Sequence, residues 1–153
     1  MLTLANGNVK PKLTTTLVVA IVPTFFVSLL FYVLLGHRRD YLGHYAAGYG
    51  GTLSAIAIVL AAIPASRCQQ IGSLTIVPCT ILCIAAGTVA EATVFRLAKF
   101  DEIDYCNQNL GAVVAGLVAI VIAGNAKPPD VALRCVIAIG AISLLIGAYF
   151  AVT

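Results

Sequence analysis

Five long apolar runs, separated by short polar or proline-bearing segments, dominate the chain. A polar leader over residues 1–12, with Lys10 and Lys12, gives way to an apolar run over 13–35 interrupted only by Pro23; further runs cover 41–63, 73–95, 105–123 and 131–152. Runs of about 20 residues are what an α-helix needs to cross a hydrocarbon layer of about 30 Å. The pattern therefore predicts an all-α, polytopic transmembrane helix bundle of five spans, forming one domain over 13–153. A secretory signal would have a shorter apolar core and a small-residue cleavage site, whereas Tyr32-Val33-Leu34-Leu35-Gly36-His37 follows here, so the first run is read as a retained anchor. Pro64 closes the second helix and Pro128-Pro129 separates the fourth from the fifth, because proline cannot continue a helix from within. In the fourth run Asn107, Gln108 and Asn109 leave only 110–123 uninterrupted, so a four-span chain is the alternative. Five is preferred, since polar residues at a helix start can be buried against neighbouring helices, while irregular backbone facing lipid is much more costly.

Composition narrows the class further. The 153 residues are 61% hydrophobic and 10% charged, against about 45–50% and 25% for ordinary globular domains, which excludes a soluble domain. The formal charge is +3, but the basic residues fall between apolar runs and form no basic face, so nucleic acid is not an expected partner. Membrane lipids and other membrane helices are, in a homo-oligomer or a larger complex. The five cysteines, Cys68, Cys79, Cys83, Cys106 and Cys135, show no CxxC pair, and are read as small apolar packing residues rather than as a disulfide framework or zinc site. No cofactor or metal is expected. Lys10, Lys12, Arg67, Lys127 and Arg134 lie on the N-terminal side and Arg38, Arg39, Arg96 and Lys99 on the other. That balance hardly decides orientation by the positive-inside rule; the leader's lysines favour a cytoplasmic N-terminus.

The acids are distributed unequally. Asp40, Glu91, Asp101, Glu102 and Asp104 belong to the side of the first and third loops, leaving only Asp130 opposite. On the second helix Asp40, His44, Gly48 and Gly51 share one face, with the ionisable pair outermost and glycines beneath. On the fourth, Asp101, Asp104, Gln108, Gly111 and Ala115 pass from acidic to amide to small as they enter the membrane. Small residues below polar ones permit close helix approach or leave a slot for a ligand, and both remain open. Glu91 lies near the end of the third run, where an unpartnered acid is costly; it is expected to meet Arg96, Arg38 or His44, or else to snorkel to the headgroups. Tyr41, Tyr45 and Tyr49 form a stripe beside this face, and the Tyr49 hydroxyl, two turns deeper than Tyr41, is expected to bond a neighbouring carbonyl.

These residues resemble a family. Asp40 and His44 are similar to the Asp-x3-His motif of VanZ-like membrane proteins, small bacterial proteins named for a teicoplanin-resistance factor. Glu91, Arg96, Asp104 and Gly111 resemble that family's later Glu, Arg and Asp-x3-Asn-x2-Gly series. Gln108 stands at the asparagine position, Ala115 at a later glycine, and Tyr49 one place after the usual tyrosine. The resemblance covers roughly 40–116. It implies a multi-pass protein of the bacterial inner membrane with a role in the envelope or in tolerance of glycopeptide antibiotics.

Three functions compete on the residues themselves. The first is a binding protein for an anionic lipid or lipid-linked envelope precursor, held by Arg38, Arg39 and Arg96 with carboxylates orienting them, because guanidinium offers paired donors to phosphate or carboxylate. The polar site would then comprise Asp40, His44, Glu91, Arg96, Asp101, Asp104 and Gln108. The second is a metal-dependent membrane enzyme in which Asp40, His44, Asp101 and Asp104 hold a hard divalent ion, although no HExxH, GxSxG or phosphate-cradling loop is present. The third is a structural or assembly subunit whose acids and bases merely suit the helix dipoles. A proton-coupled transporter is a minor variant of the second.

Overall fold

A computed structural model describes residues 13–93, 101–124 and 127–152. Five α-helices cover nearly all of them: α1 (Leu13–Leu34), α2 (Arg39–Ala62), α3 (Ala65–Thr93), α4 (Glu102–Ala123) and α5 (Asp130–Val152). Each contains a segment long and apolar enough to cross a membrane, and the described residues include no strand. The protein is thus an all-helical, multi-pass membrane protein. The predicted spans differ most at α3, which begins at Ala65, eight residues before Ser73; its apolar segment starts only at Leu74. Polar residues are no obstacle to helix, only to hydrocarbon, so the hydropathy pattern marks where α3 enters the membrane and not where it starts to coil. α4 likewise begins at Glu102, three residues before the apolar run, because the Asp101 side chain caps it by accepting from the Ile103 N–H at 2.8 Å.

α2 is the hub, touching each of the other four helices. Against α5 the contact is built on glycine. A Cβ at Gly50 would run into the Gly140 carbonyl, and one at Gly147 into the Ala47 backbone nitrogen and, at 2.7 Å, the Gly43 carbonyl. The two backbones therefore touch, as small residues allow between membrane helices, where no hydrophobic driving force favours one partner over lipid. Two hydroxyls pin the seam: Ser143 Oγ donates to the Ala46 carbonyl at 3.0 Å and Ser54 Oγ to that of Ile137 at 3.3 Å. Gly48 and Gly111 do the same between α2 and α4, where added Cβ atoms would meet the Gln108 and Tyr45 carbonyl oxygens.

α1 attaches through the tyrosine stripe. The buried Tyr49 hydroxyl donates to the Ala20 carbonyl, which is the type of partner expected for it, and Thr24 Oγ1 donates to the Tyr45 hydroxyl at 3.4 Å. Phe31 and Tyr49 each stack with Tyr45, at 6.4 Å between ring centroids. At the far end, Leu53, Ile56 and Leu60 of α2 pack with Ala119 and Ile122 of α4 and Leu133 and Val136 of α5 in a wholly apolar core. Lys127 Nζ closes that end by donating to the Ala61 and Ile63 carbonyls at 3.1 and 2.9 Å, where the C-terminal carbonyls of α2 attract a cation.

Candidate functional site

α2 and α4 run parallel, and α3 ends where α4 starts, so His44, Glu91 and Asp104 arrive at the same depth from three helices. His44 lies between two carboxylates: Nδ1 stands 3.9 Å from Glu91 Oε2 and Nε2 stands 3.6 Å from Asp104 Oδ2. His44 and Glu91 are buried, with side chains 8% and 7% exposed, and that of Asp104 is 16% exposed. Glu91 therefore meets His44, one of its expected partners, and does not snorkel. Among the described residues, no hydrogen-bond donor reaches the buried acceptors Glu91 Oε2 and Asp104 Oδ1. On α4 the buried amide is Asn107, whose Nδ2 likewise has no acceptor among the described residues, while the half-buried Gln108 lays its side-chain amide against Gly87 of α3.

Asp40 belongs to a different cluster. The outermost pair read from the sequence, Asp40 with His44, is replaced by Arg38 gripping both Asp40 oxygens, with Nε to Oδ1 at 3.1 Å and Nη2 to Oδ2. Arg38 also lies over the Tyr41 ring at 4.1 Å, and the carboxylate beside it raises its pKa above the usual arginine value. The cause is local geometry. Gly36 and His37 both take left-handed backbone, at φ 71° and 64°, and so turn the chain within the few residues between α1 and α2. Arg38 emerges at the aqueous edge, within reach of a first-turn acid; His44 is one turn deeper and meets acids from other helices.

Two hollows adjoin this edge. One, of about 570 Å³, is lined by His37, Arg38, Arg39, Asp40, Tyr149 and Phe150. The other, of about 430 Å³, is an apolar groove among α1, α2 and α5 lined by residues such as Ile21, Phe25, Leu29, Leu42 and Ile146. Phe150 lines both. A third hollow, of about 280 Å³, lies between α2, α3 and α4, with Gly48, Gly51, Gly87 and Gln108 in its wall together with Leu144 of α5. Of the small residues below the polar ones, Gly48 and Gly111 bring backbones together, whereas Gly51 has nothing nearer than Leu144 Cδ1, 3.7 Å from an added Cβ.

Among the described residues, no group of three or more His, Cys, Asp or Glu is arranged to hold a metal ion. Of the four ligands considered for a divalent ion, Asp40 is paired with Arg38, Asp101 caps α4, and the two His44 nitrogens face opposite ways toward separate carboxylates. Their donors do not converge. No family model, curated protein or solved structure matches the chain. Arg96 lies outside the described residues. Sequence reasoning missed Tyr149 and Phe150, which sit at the end of a run read only as a span; their sole signal is aromaticity at a membrane edge.

Proposed function

We propose that the protein binds an anionic amphiphile, with its headgroup over Arg38 and Arg39 and its chain in the apolar groove. The observation that carries this reading is that the arginine-lined hollow and the groove are neighbours sharing Phe150 in their walls. Cationic and apolar compartments side by side match a molecule that is charged at one end and hydrocarbon at the other. Each is within the range of about 300–1,000 Å³ usual for ligand pockets. Asp40 fixes the Arg38 guanidinium in place, and Arg39 beside it is exposed, so one guanidinium is pre-oriented and another is free to close on a phosphate.

The VanZ-like resemblance supports the same reading, by implying a bacterial inner-membrane protein that acts on the envelope. With a cytoplasmic N-terminus, the arginine edge faces outward, where lipid-linked envelope precursors are displayed. The test is native mass spectrometry of the full chain released from nanodiscs of neutral lipid containing about a tenth phosphatidylglycerol. Wild type should retain the anionic lipid in preference, and Arg38→Gln/Arg39→Gln should lose that preference by about tenfold, as expected when charge-assisted bonds are removed. Equal retention by both would refute the reading. A stoichiometric protein partner with no retained lipid would favour a structural subunit instead.

A further inference from the structure

The groups at His44 are not used by the amphiphile reading. Three ionisable side chains are buried there inside a membrane bundle, where such residues are expensive to keep. Two carboxylate oxygens, Glu91 Oε2 and Asp104 Oδ1, have no donor among the described residues. The imidazole holds each nitrogen near a different acid, at 3.9 and 3.6 Å, distances of attraction and not of hydrogen bonding. Charge-assisted N–H···O bonds settle at about 2.7–2.9 Å, so a ring carrying a proton on each nitrogen would draw both acids inward by close to 1 Å. Ala47 and Gly48 follow His44, Ala90 and Gly87 precede Glu91, and Gln108 follows Asp104, all within about one helical turn on the membrane side. All five line the cavity of about 280 Å³ between α2, α3 and α4. The three side chains therefore stand between that cavity and the aqueous face.

We propose that His44, Glu91 and Asp104 form a proton-binding site that gates this cavity. With a proton taken up from the aqueous face, the imidazolium draws α3 and α4 onto α2 and the cavity is shut. When the ring releases that proton, two acids are left facing a neutral ring, the attraction is lost, and the three helix ends loosen. Among the described residues, the groups facing the site include Glu91 from α3, Asp104 from α4 with Asp101 behind it at the helix start, and Asp40 one turn outward on α2 itself. α1 and α5 bring Tyr32 and Tyr149 to this end of the bundle, placed at the groove and at the arginine hollow respectively.

Cys83 lines the cavity and serves as the reporter. Full-length chains retaining only Cys83, or only the exposed Cys106 as reference, are placed in nanodiscs and treated with a small neutral maleimide. Dividing the Cys83 rate by the Cys106 rate removes the reagent's own dependence on pH. As the pH is raised from about 5 to about 9, the ratio should rise at least about threefold with the three side chains intact. It should be flat in Glu91→Gln/Asp104→Asn, and flat and high in His44→Gln. A flat ratio in the intact chain overturns the proposal, as does an equal rise in either variant. Should the double variant fail to fold, the intact chain and His44→Gln decide the matter.

Discussion

Replacing His44 by glutamine should cost more stability than replacing all three members of its cluster. The distances of 3.9 and 3.6 Å to Glu91 and Asp104 correspond, at an effective dielectric of about 20, to a gross attraction of about 4 kcal/mol for each pair of unit charges. Most of that is consumed in stripping water from three buried groups, so the net worth of the intact cluster is small. Removing one member is different, because the desolvation of the others is left uncompensated. His44→Gln is expected to lose about 3–5 kcal/mol, the range for breaking a buried pair from one side. Adding Glu91→Gln and Asp104→Asn should recover most of this, ending within about 1 kcal/mol of wild type, because neutral amides carry no such debt. The assay is reversible SDS titration of the purified protein in mixed micelles. Near-ultraviolet circular dichroism can follow the six tyrosines, since the chain has no tryptophan. A triple variant less stable than His44→Gln, with the individual losses adding, would refute the electrostatic coupling of the three side chains.

Adjacent glycines should respond in opposite ways. Gly50→Ala should destabilise by about 1–3 kcal/mol, because the added methyl meets the Gly140 and Leu144 backbone, while Gly51→Ala should be neutral or slightly stabilising in the same titration. Tyr49→Phe removes the buried hydroxyl that donates to the Ala20 carbonyl, and should cost about 1 kcal/mol. Limited proteolysis of the chain between α1 and α2 should speed up in parallel, since that bond joins the two helices; an unchanged rate would mean that ring packing alone holds α1.

Much of the fold was legible because membrane insertion is governed by length and hydropathy, and both are written locally. All five spans lie within a few residues of their expected positions except the start of α3, where more than two turns are helical ahead of the apolar segment. The candidate site was legible only in part. Helical periodicity places Asp40 and His44 on one face of α2, but it cannot say which neighbour that face meets. The rotation of α2 against α4 and α5 is set by backbone contact at Gly48, Gly111, Gly50 and Gly140, a property of pairs of helices. For the same reason the gathering of acids at one membrane edge was visible, whereas their division between Arg38 and His44 was not. The two aromatic residues at the end of α5 carry no charge or motif, and only the packing of α1, α2 and α5 puts them beside the arginines.

The glycine seam between α2 and α5 also bears on how the chain is made. α2 is the least apolar of the five spans and one of the two most enclosed, and the helix that covers its glycine face is made only after α3 and α4. Until α5 has been synthesised, bare backbone on α2 and the hydroxyl of Ser54 must face lipid or the insertion machinery. α2 is therefore an unfinished segment until α5 has been made and can cover its glycine face. Quality control acting before release would encounter the Gly43, Gly50 and Ala47 surface as an exposed small-residue face, offered to any membrane helix able to imitate α5.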